Sequence, residues 1–180
     1  MTRIVLTALE VANCGPWQGQ HRFEFPGRGL SVYCAPNETG KTTLLRLVAA
    51  ILWGYDPPDR NWHAAEGPYQ AALEYARIPI NEDGDAVSGT CYGEFRVERD
   101  FHNHRVELQT RAEEGWKAIH LSRHRRRGRT ADAEQWTSLI QKYFAPISAE
   151  AFVRLAMLSP PFDPQSDDQG GIIQSLIAGA

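Results

Sequence analysis

The chain has 180 residues, enough for one compact domain, or most of one, with a real hydrophobic core. Hydrophobic residues make up 42% of it and charged residues 23%, the ordinary balance of a soluble globular protein. A net charge of −3 excludes a polycation overall, so any nucleic-acid contact must come from a local patch or from residues outside this chain.

The N-terminus alternates apolar and polar residues from Arg3 onward and has no signal-peptide core. No apolar run approaches the ~18 residues a membrane span needs. Cys14, Cys34 and Cys91 show no CxxC spacing, and two of them lie in strand-like runs. That pattern predicts reduced, buried thiols in a cytoplasmic protein rather than a disulfide or zinc framework.

In chain order, residues 3–12, 21–25 and 30–34 alternate as strands. The last leads into Ala35-Pro-Asn-Glu-Thr-Gly-Lys-Thr42, which opens a helix-patterned segment. Strand, tight loop and helix N-terminus are the setting of a phosphate-cradling loop. A triphosphate needs many converging N–H donors, which the loop supplies, and the helix end adds roughly half a positive charge. Gly40 permits close backbone approach, Lys41 is a point charge for the outer phosphates, and the Thr42 hydroxyl can ligate Mg²⁺. Asn37, Glu38, Thr39, Gly40, Lys41, Thr42 and Thr43 are therefore the candidate ATP-binding residues, with Lys41 also serving catalysis. Ala35 stands where the pattern has its first glycine.

The helix from Lys41 repeats apolar residues at Leu44, Leu45, Leu47, Val48, Ile51 and Leu52, close to the 3.6 period. Gly54 is its predicted C-terminal cap, with Pro57 and Pro58 beyond. Residues 70–79, 90–99, 104–110 and 115–120 then alternate as antiparallel strands, broken at Asn81-Glu-Asp-Gly84. Phe95, Val97, Arg99 and Phe101 share one parity, so Arg99 points with the apolar face. Either a phosphate or carboxylate partner or a snorkelling rim position accounts for it. Asp132 with Gln135 predicts a capping box for a helix over 133–144, and Ser148 begins another over 149–158. Residues 159–171 read as a loop, and Ile172–Ala180 is too short for a domain of its own.

Arg123, Arg125, Arg126, Arg127 and Arg129 crowd one short stretch. They are candidate DNA-phosphate contacts, or else a solvated loop. Without interleaved aromatics the run suits phosphates rather than bases. Phe101-His-Asn-His-Arg105 carries the letters of an HNH nuclease, but consecutively, as a tight turn would. His63, His102, His104 and His120 have no shared ligand spacing. Tyr55-Asp-Pro-Pro58 could bring a ring near an adenine, or simply terminate the helix.

Ala-Pro-Asn-Glu-Thr-Gly-Lys-Thr-Thr-Leu-Leu, the Ile-Leu-Trp-Gly54 helix ending, Phe95-Arg-Val-Glu-Arg-Asp-Phe101 and Val11-Ala-Asn-Cys-Gly-Pro-Trp17 occur in a telling order. Together they resemble the N-terminal half of an SMC-like ABC ATPase head, with SbcC-type, RecN and YhaN-like DNA-repair ATPases as relatives. The resemblance implies an α/β fold: the N-terminal lobe of an ABC-type P-loop NTPase, with an antiparallel β subdomain and C-terminal helices. The P-loop core would span 1–56, the antiparallel arm 70–120, and the helical and Q-loop region 132–180. By the same resemblance Gln169, or second Gln165, would be the Q-loop residue that senses Mg²⁺ and the attacking water. No Walker B acid, signature segment or switch histidine follows. The implied chain is the first lobe alone, a natural or truncated fragment whose C-terminal lobe is absent.

The implied function is ATP binding by an ATPase that acts on DNA, in double-strand-break repair or in chromosome or defence processing. ATP and Mg²⁺ are its cofactors. Its partners would be a C-terminal lobe from the same or a second chain, a second head in a head-to-head homodimer, DNA, and a nuclease subunit, with no membrane. Binding without turnover is expected of the isolated chain. The alternatives are a non-hydrolysing, ATP-gated assembly module and a small-molecule P-loop kinase. A kinase would continue with parallel βαβ units, which this sequence does not.

Overall fold

The computed structural model describes residues 2–26, 32, 34–54, 67–81, 91–123 and 130–156, the side chains of 154–156 excepted. The chain divides into two compact units, residues 1–145 and 146–180. Among the described residues no helix is long and apolar enough to cross a membrane.

The first unit contains β1 (Thr2–Cys14), β2 (Trp17–Glu24), α1 (Lys41–Trp53), β3 (Gln70–Pro79), β4 (Gly93–Asp100), β5 (Arg105–Ala112), β6 (Gly115–Arg123) and α2 (Ala131–Tyr143). The strands form one sheet in the order β2-β1-β3-β4-β5-β6, antiparallel throughout. The arm expected over 70–120 is thus β3 to β6, and the N-terminal hairpin joins its edge. β1 and β2 are longer than their alternating runs because the turn at Gly15 and Pro16 is tight enough to pair Cys14 with Trp17. Of the strand expected over 30–34, residues 30, 31 and 33 lie outside the described residues, and Val32 and Cys34 belong to no strand.

Period-two alternation gives the sheet two unlike faces. One inner row runs Leu9, Leu73, Val97, Leu108 and His120 across successive strands. The next runs Val11, Ala71, Arg99, Val106 and Ser122. Helices cover this face, α1 over β3 and β4 and α2 against β6. Trp53 meets Phe144 edge-on, and Phe144 meets Tyr75 likewise. Phe95 stacks on Tyr75. Burying these aromatics contributes roughly 2 kcal/mol each by area alone.

The outward face carries an ion-pair lattice over the floor of Ala8, Ala12 and Ala72. Glu74 accepts both Nη atoms of Arg22 at 2.9 Å and Nη1 of Arg96 at 2.7 Å. Glu10 accepts from Arg96 Nη2 at 2.6 Å and from Arg22. The Arg96 hydrogen bond holds the Glu10 carboxyl below its usual range, and the Arg22 bond does the same for Glu74. A cavity of about 490 Å³ opens here, walled by Glu10, Arg22, Arg96 and Glu98, all already bonded within the lattice.

Three local expectations change. The N-cap of α2 is Thr130, whose hydroxyl accepts Ala133 N–H at 3.2 Å, while Asp132 lies within the first turn. Both residue types cap helices, and the earlier one reaches the open amide. Only Cys14 is a buried thiol, and Cys34 and Cys91 are exposed. Arg99 is no rim residue, being 1% exposed. The His102–His104 stretch is a turn, as its spacing implied. Asp100 Oδ1 accepts the His102 and Asn103 amides at 2.8 and 3.2 Å, and Asn103 Oδ1 accepts that of Arg105 at 2.8 Å.

The second unit is described over 146–156. Its helix α3 (Ala149–Ala156) starts at Ser148, whose hydroxyl accepts Ala151 N–H at 3.1 Å.

Candidate functional site

The loop before α1 is built around two left-handed residues, Glu38 at φ 67° and Gly40 at φ 93°. Such alternation turns successive amides toward one side, the geometry of an anion-binding nest. Gly40 is also the N-cap of α1. No side chain caps this end and no acidic residue occupies the first turn. The first-turn amides, apart from any bond to the loop, therefore keep their donors for an outside acceptor. Thr39 Oγ1 donates to Pro36 O at 2.9 Å and closes the loop on itself.

Lys41 folds back across the loop and donates from Nζ to Ala35 O and Pro36 O, each at 2.5 Å. An ammonium has three donors, so at least its charge stays at the loop's mouth, poised to leave carbonyl dipoles for a full anion. Thr42 is exposed beside it and Thr43 half-buried.

The β1–β2 turn supports the loop from behind. A Cβ on Gly40 would lie 2.5 Å from Pro16 Cγ and 2.6 Å from Trp17 Nε1. One on Gly15 would lie 3.0 Å from Thr43 Cγ2. The two glycines are what let turn and loop touch. Asn13, itself at φ 53°, holds the turn in place. Its Nδ2 donates to Pro68 O and its Oδ1 accepts Gly19 N–H, both at 2.8 Å. Trp17 is then fixed edge-on against His21 and Phe23, with centroids 5.3 and 5.0 Å away. Sequence reasoning placed the Val11–Trp17 segment before the second strand but missed its contact with the loop. The paired glycines at Gly15 and Gly40 were the available signal.

A family model described as AAA domain matches residues 8–148, from the first strand through the second helix. The chain belongs to the AAA domain family. No curated protein matches it. An AAA domain is a nucleotide-binding ATPase module, and such domains typically use ATP and Mg²⁺. The loop fits that cofactor: αL residues at Glu38 and Gly40, an uncapped helix N-terminus and a lysine ammonium surround one spot.

The far end of α1 is arranged in the opposite sense within this AAA domain. Gly54 N–H donates to Ala50 O at 2.8 Å, as the predicted cap. Arg99, reaching in from β4, donates from Nε to Ile51 O at 2.8 Å and from Nη2 to Leu52 O at 3.4 Å. Trp136 of α2 donates its indole N–H to Leu52 O at 2.7 Å, and Arg99 lies 5.9 Å over its ring. Main-chain carbonyls, a partner type the sequence reading did not consider, thus receive the inward arginine. Burial pushes its guanidinium down to about 9, still a cation at neutral pH.

Other candidate residues are not brought to the loop. Arg123 ends β6 as an exposed side chain, and Arg125, Arg126, Arg127 and Arg129 lie outside the described residues. So do Tyr55, His63, Gln165 and Gln169.

Proposed function

We propose that this AAA domain is the ATP-binding, N-terminal lobe of an SMC-like ABC ATPase head that works on DNA. The carrying observation is the uncapped N-terminus of α1, with Gly40 left-handed and the Lys41 ammonium held at the loop's mouth. Loop amides from Asn37 to Thr43 would hold the phosphates, Lys41 would leave the Ala35 and Pro36 carbonyls to pair with them, and Thr42 would ligate Mg²⁺. Bound Mg²⁺ would supply charge neutralisation at the phosphate oxygens. The protein's share is positional: it fixes donors where negative charge collects.

Turnover would need a C-terminal lobe and a second head, with Gln169 or Gln165 supplying the Q-loop contact. Apolar surface beside the loop favours that reading. Val32 is 71% exposed and Leu45, on α1, is 47% exposed. Both suit coverage by an apolar partner lobe, whether that lobe completes an ATPase or only an ATP-gated assembly. Arg123 and the arginines after it would take the DNA phosphates.

Calorimetric titration with Mg·ATP tests the core of the proposal. Saturable binding that Lys41→Ala removes, with no turnover by the chain alone, is the expected result. Absence of binding would end it. Adding a separately expressed C-terminal lobe then divides the two forms: hydrolysis only in the mixture marks the split enzyme, and binding without hydrolysis marks the assembly switch.

A further inference from the structure

The strongest unexplained feature is a buried cation at the end of α1 opposite the loop. Covering two carbonyls does not require a guanidinium, since water or a glycine cap suffices at most helix ends. The last turn of α1 has no basic residue of its own. The charge arrives instead from β4, and a second donor arrives from α2, so two distant elements converge on Ile51 and Leu52. Ion burial costs stability, which argues for a role other than adhesion. The N-terminus of α1, in contrast, has no side-chain cap to fix it.

Resting on the nucleotide-binding reading above, we propose that Arg99 and Trp136 are positioning residues for the phosphate loop. By gripping the C-terminal carbonyls of α1 they set its tilt and axial position, and thereby where Gly40 and Lys41 meet the phosphates. A helix of 13 residues is a stiff rod about 20 Å long, so a small rotation at one end displaces the other. The cation also faces the negative end of the helix dipole, complementing the anion that the opposite end would bind.

The test uses the whole chain with Trp136→Phe, Arg99→Lys and Arg99→Met. Each is titrated with Mg·ATP at a temperature where circular dichroism shows it folded. Losing the indole donor should weaken binding about fivefold, and losing the guanidinium about tenfold or more. Arg99→Lys should fall between wild type and Arg99→Met, since a single ammonium cannot reproduce the fork that spans two carbonyls. Lower melting temperatures with unchanged affinities would overturn the proposal and leave a purely structural role. Should the variants not fold, the wild type decides: Mg·ATP must shift the Trp136 indole N–H resonance, and an unmoved resonance overturns the idea. Wild type that binds no Mg·ATP would instead sink the nucleotide reading, and this one with it. Wild-type binding with equal variants sinks only this one.

Discussion

The two ends of α1 solve the same problem in opposite ways. Every helix leaves donors unpaired at its start and acceptors unpaired at its finish. Here the finish is closed by Gly54, Arg99 and Trp136 inside the core. The start is left without a side-chain cap and carries a lysine bonded only to loop carbonyls. An end built for stability is saturated by its own protein, and an end built for a ligand keeps its donors.

Lys41→Ala should separate these roles most sharply. Mg·ATP affinity should fall at least about 100-fold, roughly 2.7 kcal/mol, with little change in melting temperature, as calorimetry and thermal denaturation can check. Gly40→Ala should damage both roles. A left-handed φ of 93° and a Cβ 2.5 Å from Pro16 Cγ predict a loss of about 2 kcal/mol in urea denaturation, with weakened binding besides.

Acid should act away from α1, on the outward lattice. Glu10 and Glu74 have folded pKa values below 4.5, so their contribution is complete above that pH and is lost as pH falls through the folded values. The urea midpoint should therefore drop on acidification below pH ~4.5, and drop less in Arg96→Met, where the carboxylates have lost a partner. Thr130→Ala should give the smallest effect, about 1 kcal/mol, by uncapping α2. Nucleotide affinity of that folded variant should match wild type.

What could be read beforehand follows from the range of the interaction. Gly40-Lys41-Thr42 at a helix start is local chemistry, and the strands of the arm announce themselves by alternation. Parity even turned Arg99 inward. Its recipients, Ile51 and Leu52, were beyond reach because carbonyls carry no sequence signature and lie on another element. The Glu10, Arg22, Glu74 and Arg96 lattice depends on three strand registers at once. Thr130 displaced Asp132 as cap because the two residue types compete on nearly equal terms, and geometry chooses. The exposure of Cys91 was likewise invisible, since strand-like composition continued past the point where β4 begins.

The outward sheet face has a further consequence. Its register gathers Glu10, Glu24, Glu74, Glu98 and Glu107, against Arg22, Arg96 and Arg105. Each guanidinium is already spoken for by a carboxylate, and acid is in surplus. A strand of nucleic acid approaching that side would meet repulsion at close range, so the sheet would turn a polyanion away and leave the Arg123 edge as its approach.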